Sequence, residues 1–280
     1  MDAQEIKKYQ QAQLSLLEET DRICQELGIC YYMIGGTLLG AVRHGGFIPW
    51  DADIDIAMPR ADYERFRKYW EDENSSQYFY QHYTTEANHF SPHGILRIRG
   101  THVVMRGRIS RFKPKEDGIY LDVFPLDEPP VEKTAQEKQM KRIKRIRTLI
   151  EWKAGYTYGN KTGSAKQLAK KAVQLCLLPL SLPALNKMLD RAMRKHTGSG
   201  SGYLVSMASH YSYWKQLMPQ QIYGEPIRIA FEDGQFCAPA QIDAYLKQIY
   251  GDYMQLPPVE KRFSDLDYIR YIDYGVENEK

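Results

Sequence analysis

Cysteine is scarce in this sequence, and long apolar runs are missing. The 280 residues hold four cysteines, Cys24, Cys30, Cys176 and Cys237, far apart and with no C-x-x-C pair. This argues against a zinc ribbon or a disulfide framework, and a chain of this length buries enough surface to need neither. A reducing compartment is the simpler expectation. No stretch approaches the roughly 20 apolar residues of a membrane span. The most apolar run, 175–185, is interrupted by Pro179 and Pro183. The opening residues, MDAQEIKKYQQAQ, lack the apolar centre of a secretory signal, so a cytoplasmic location is expected. With 43% apolar and 26% charged residues, composition excludes collagen-like, coiled-coil and wholly disordered chains.

What is present is unevenly distributed. The net charge of +3 hides a segment, 133–196, with 16 Lys and Arg against Glu137, Glu151 and Asp190, a local charge of +13. Such a block either attracts a polyanion (nucleic acid, anionic lipid, a phosphate-rich polymer) or is a solvated helical face.

Residues 3–27 read as an amphipathic helix, with Ile6, Tyr9, Leu14, Leu17, Ile23 and Leu27 near helical spacing and Gly28 as the stop. An apolar strand at 31–34 runs into Gly35-Gly36, and TLLGAVR (37–43) fits a short helix. Residues 53–58 read as a strand, and Pro59 opens a helix carrying Tyr63, Phe66 and Tyr69 on one side. Further strands are expected at 94–98, 102–105, 119–124 and 227–231, with a helix near 240–250. Residues 133–196 turn helical and basic around a Gly/Tyr/Ser-rich turn, and GSGSG (198–202) reads as a connector. The expectation is an α+β fold: a mixed-sheet core flanked by helices (1–130), a basic helical insertion (131–200), and a C-terminal α/β region packed on the core (201–280).

The chemistry concentrates in MIGGTLLGAVRHGGFIPWDADIDIAMPR (33–60). Strand periodicity puts Asp51, Asp53 and Asp55 on one face and Ile54 and Ile56 on the other. Three neighbouring acids repel unless a cation sits among them, and hard carboxylates suit Mg2+ or Mn2+. In GIYLDVF (118–124), Asp122 faces away from Leu121 and Val123 and needs a partner. Gly35-Gly36-Thr37 opens a helix whose amides suit a phosphate, and Arg43, two turns on, is placed to reach it. Trp50 is either core or a stacking surface. Arg97 alternates with apolar neighbours and is a second candidate contact to substrate.

The order strand, Gly-Gly, helix, Asp-x-Asp, later strand acid resembles the nucleotidyltransferase superfamily. GGTLLGAVRHGGFIPWDADIDIAMPRADYERF, the later YLDVFPLD, and FEDGQFCAP…YLKQIYGDYMQLPPVEKR are similar to the LicD family, from about 33 to 262. The resemblance implies transfer of a phospho-alcohol, phosphorylcholine first, from a CDP-alcohol donor to a glycan or lipid-linked glycan acceptor of a teichoic-acid or lipopolysaccharide precursor, releasing CMP. It implies a metal pair at Asp53 and Asp55, a third carboxylate at Asp122, and a phosphate-side turn at Gly35, Gly36 and Thr37. Asp122 is also the expected base, and Asp51 the expected support behind the metal ligands. Ala52 stands where family members commonly carry Asp. Since it points away from the acidic face, little catalytic effect is expected. Ethanolamine, glycerol and ribitol donors remain open, because the 21 tyrosines (Tyr156, Tyr158, Tyr211, Tyr213, Tyr271 and Tyr274 among them) do not by number make a choline cage. No nucleic-acid partner is expected, whereas peripheral contact with an anionic membrane through 133–196 is. A metal-dependent glycosyltransferase, a polymerase-like nucleotidyltransferase and a non-enzymatic binding fold are the rivals.

Overall fold

The computed structural model describes residues 2–73, 75–105, 112–155, 179–259, 262, 266 and 269–275. Tyr156, Tyr158, Cys176 and most of the Gly/Tyr/Ser-rich turn lie outside them.

Helix α1 (Ala3–Leu27) starts at a capping box. The Asp2 carboxylate accepts from the amides of Gln4 and Glu5, and Glu5 accepts from the Asp2 amide. It stops at Gly28, whose φ of +59° suits a residue without Cβ. Its buried side carries Tyr9, Leu16, Leu17 and Ile23. Then follow β1 (Tyr32–Met33), α2 (Gly35–His44), β2 (Asp55–Pro59), α3 (Arg60–Asp72), β3 (Tyr78–Gln81), β4 (Gly94–Ile98), β5 (His102–Met105) and β6 (Tyr120–Leu126).

Five strands form a mixed sheet in the order β1-β2-β6-β4-β3, with β2 and β6 parallel and the other neighbours antiparallel. Ile54, Ile56, Leu121 and Val123 are fully buried, as the alternation requires. Three boundaries move from the sequence expectation. The second strand begins at Asp55 rather than 53, because β1 reaches only Ile56 and Ala57 and leaves Asp53 on the approach. The α2 helix takes in both glycines, and β6 runs to Leu126 along its partner β2.

Helices α4 (Lys133–Ala154) and α5 (Leu182–Met193) pack on each other. After the short pair β7 (Tyr203–Val205) and β8 (Leu217–Pro219) comes a hairpin, β9 (Ile227–Phe231) and β10 (Gly234–Ala238), and then α6 (Ile242–Tyr250). The hairpin touches β1 and α2, and α6 touches α2. Finally β11 (Ile269–Asp273) pairs with β5. No helix among the described residues is long and apolar enough to cross a membrane.

Two buried polar nodes hold these layers. The Arg60 guanidinium grips Asp127 through two hydrogen bonds of 2.7 and 2.6 Å and reaches Asp190 of α5 at 2.9 Å. Gln13 of α1, 0% exposed, donates from Nε2 to the carbonyl of Ala52 at 2.8 Å and lies 3.3 Å from that of Tyr120. It therefore ties together the two segments that carry Asp53 and Asp122. Replacing it with leucine leaves two buried carbonyls without this donor, so Gln13→Leu is expected to lower unfolding free energy by about 1–3 kcal/mol in a urea titration.

Candidate active site

The register of the parallel pair sets the site. Asp55 lies directly opposite Asp122, and the Asp122 amide donates to the Ile54 carbonyl at 2.9 Å. Asp53, one step before the strand, completes a group in which one carboxylate oxygen from each of Asp53, Asp55 and Asp122 lies within 4.8 Å of the others. All three are half-buried. The Oδ1 atom of Asp122 is buried and finds no hydrogen-bond geometry, although His93 Nε2 stands 3.2 Å away. Three anions gathered this closely, one with an orphaned buried oxygen, form an all-oxygen donor set suited to a hard divalent cation.

Helix α2 ends against the same acids. A Cβ at Gly35 would stand 3.1 Å from Asp55 Oδ2, and one at Gly36 would stand 2.3 Å from Asp51 Oδ2. Gly35 also has a φ of +57°, which favours glycine. The positive end of the α2 dipole thus meets carboxylates directly. Asp51 does not join the three-carboxylate group: its Oδ1 accepts from the Ala52 amide at 3.2 Å, and it lies against Gly36. The expected shared face of 51, 53 and 55 therefore resolves into a cluster plus a neighbour, because only Asp55 is in the strand ladder. The buried Thr37 side chain turns inward, where its hydroxyl accepts from the Asp55 amide at 2.8 Å. Its role in this geometry is to fix the start of β2.

These residues open onto a cleft of about 840 Å³. One wall is Gly35, Gly36, Leu39 and Arg43 of α2, with Trp50, Asp51, Asp53 and Asp55 below it. The other wall comes from far along the chain: His210, Tyr211, Tyr250, Asp252, Tyr253, residues 255–259 and Arg262. Arg43 donates to the Tyr253 carbonyl at 2.9 Å, and Arg262 lies over the Trp50 ring at 5.1 Å. Burial draws the Arg43 guanidinium below its ordinary pKa, and Arg262 adds to that by like-charge repulsion. Burial pushes the Tyr211 phenol up, reinforced by Asp55, Asp51 and Asp53. Carboxylates, two guanidinium groups and aromatic rings therefore line one cleft.

Of the residues singled out by sequence, Gly35, Gly36, Arg43, Trp50, Asp51, Asp53 and Asp55 line the cleft, and Asp122 joins the acids. Arg97 does not line it. It shares a sheet face with Asp122 but is anchored to Gln81 and to the Gly118 carbonyl, both at 2.7 Å, with its guanidinium over the Tyr120 ring. Tyr213 is buried against Gln139, and Tyr271 is exposed on β11. Sequence reasoning did not single out His93, Tyr250, Tyr253, Arg262 or Glu232. Glu232, at the β9–β10 turn, accepts from the Phe47 amide at 2.8 Å and so pins the loop leading to Trp50.

Comparison with known proteins gives a consistent result. The family described as LicD/FKTN/FKRP, nucleotidyltransferase domain, matches residues 28–145. The lipopolysaccharide cholinephosphotransferase LicD of Haemophilus influenzae is 30% identical over 260 residues, 91% of this chain and 93% of that protein. The human ribitol 5-phosphate transferase FKRP is 45% identical over 49 residues, 16% of this chain and 10% of that protein.

Two outcomes follow from the geometry. In chelator, Asp53→Asn is expected to raise the melting temperature by relieving repulsion; added Mg2+ is expected to raise that of the unmodified protein and not that of the variant. Gly35→Ala, forced into a left-handed backbone and against Asp55, is expected to cost about 1–3 kcal/mol in urea unfolding, more than Gly36→Ala.

Proposed function

The chain belongs to the LicD family, and we propose that it transfers a phospho-alcohol, phosphorylcholine first, from a CDP-alcohol to a hydroxyl of a cell-surface glycan precursor, releasing CMP. The observation that carries this reading is the convergence of Asp53, Asp55 and Asp122 beside a cleft of donor size. A nearly full-length relative named as a lipopolysaccharide cholinephosphotransferase supports both the reaction class and a lipopolysaccharide-type acceptor. Within that reading the core is a nucleotidyltransferase-type scaffold.

In this reaction the acceptor oxygen attacks the phosphorus that bears the alcohol. The bond from that phosphorus to the bridging oxygen of CMP breaks, and CMP leaves with the electron pair. Asp53, Asp55 and Asp122 would hold the divalent ion, Mg2+ or Mn2+, which when bound offsets the negative charge of the phosphates and of the departing CMP. Asp122, with His93 behind it, is the group placed to take the acceptor proton. Arg43 from α2 and Arg262 from the other wall anchor the donor phosphates, and the α2 amides at Gly36 and Thr37 add dipole stabilisation. Trp50, Tyr211 and Tyr250 offer aromatic surface to the cytosine base and to a quaternary ammonium group.

Donor binding needs no known acceptor and so tests the reading directly. Thermal-shift scans with Mg2+ are run against CDP-choline, CDP-ethanolamine, CDP-glycerol, CDP-ribitol and UDP-sugars. A donor at about 100 times its Kd adds roughly 2.7 kcal/mol of stability. The expected outcome is a Mg2+-dependent shift with CDP-choline that Asp53→Asn abolishes. A shift with CDP-ribitol alone moves the alcohol toward that of the ribitol 5-phosphate transferases. A shift with UDP-sugars alone overturns phospho-alcohol transfer.

A further inference from the structure

The basic segment has a described part, and its side chains are sorted by face. Along α4, Ile143, Ile146 and Ile150 are buried, while Lys138, Lys141, Arg142 and Arg145 are exposed on the opposite side. At 100° per residue these four fall within a single arc of the helix. On α5 the buried residues are Leu182, Leu185, Leu189 and Met193, and Lys187 and Arg191 point outward. The two helices pack on each other, and Gln139 of α4 donates to the carbonyls of Ala192 and Met193. The two helices therefore form one basic layer.

This charge is not balanced locally. Arg194 turns back to Asp190 and Glu64, but none of the six outward cations makes an ion pair among the described residues. Between Glu151 and Asp190 the sequence contains no acid, so residues 156–178 have none to offer. Asp190 itself is committed to Arg60. Exposed apolar side chains stand in or next to α5. Met188, between Lys187 and Arg191, is 41% exposed, and Leu180, just before α5, is 37% exposed.

We propose that the outward face of α4 and α5 is a peripheral docking surface for an anionic lipid bilayer. The six cations match the negative surface of such a bilayer, at roughly fivefold in partition per Lys or Arg near it. The apolar side chains select lipid over nucleic acid. Met188 and Leu180 gain from entering the boundary between headgroups and acyl chains, whereas a phosphate backbone offers them nothing. This assignment is independent of the donor and the reaction proposed for the cleft.

The test is flotation of the purified full-length protein with vesicles of phosphatidylcholine alone, or of phosphatidylcholine with about one third phosphatidylglycerol, at rising salt. Binding is expected only with phosphatidylglycerol and is expected to weaken steeply with salt. Lys141→Glu combined with Arg145→Glu is expected to reduce partition at least tenfold while the circular dichroism spectrum and the melting temperature are retained. Met188→Asp, on the other helix, is expected to weaken binding as well. Equal binding to neutral vesicles, or unchanged binding by the charge-reversed protein, overturns the proposal. So does tighter, equally salt-dependent binding to a random single-stranded RNA than to the anionic vesicles.

Discussion

Three carboxylates that repel one another are held within 4.8 Å, and much of the surrounding architecture serves to keep them there. The parallel β2–β6 pairing puts Asp55 beside Asp122, a placement that a register slip of one residue would destroy. Gln13 clasps the backbone just before Asp53 and two residues before Asp122. Thr37 fixes the Asp55 amide, and the α2 dipole aims its positive end at the acids. Each device is small on its own. Together they hold three like charges in register.

Two guanidinium groups share the cleft with the acids, Arg43 from α2 and Arg262 from more than 200 residues further along the chain. A cleft lined by both carboxylates and guanidinium groups is matched by a ligand that brings phosphates together with a cation. Trp50 sits between the two walls, with Arg262 over its ring and the His44 ring edge-on at 6.0 Å. The Glu232 contact to Phe47 matters here, because the loop it pins positions both Trp50 and Asp51.

Much of the first wall was legible in the sequence. Period-two alternation placed Ile54 and Ile56 inside and their acidic neighbours outside, and the glycine pair marked a helix start that tolerates no side chain against Asp55 or Asp51. Strand limits were not legible to the residue, since they depend on how far a neighbour reaches: β1 is two residues long and leaves Asp53 off the ladder. Arg97 illustrates the opposite difficulty. Its sheet face was foreseeable, but its anchorage to Gln81 depends on β3, a partner that periodicity does not reveal. The second wall showed only in the family resemblance of YLKQIYGDYMQLPPVEKR, which carries no geometry. Nothing in the spacing around Tyr250, Tyr253 or Arg262 says that they return to Gly35 and Arg43.

That return has a kinetic side. The hydrogen bonds from Gly35 to Tyr245 and from Arg43 to Tyr253 each close a loop of 210 residues. Contacts so distant in sequence form late, after the local helices and the central sheet have collapsed. During synthesis the acids and Trp50 emerge early, while the arginine and tyrosines that face them are still unmade. The cleft is thus among the last features of the molecule to close, and until the second wall arrives the acids stand on an open surface.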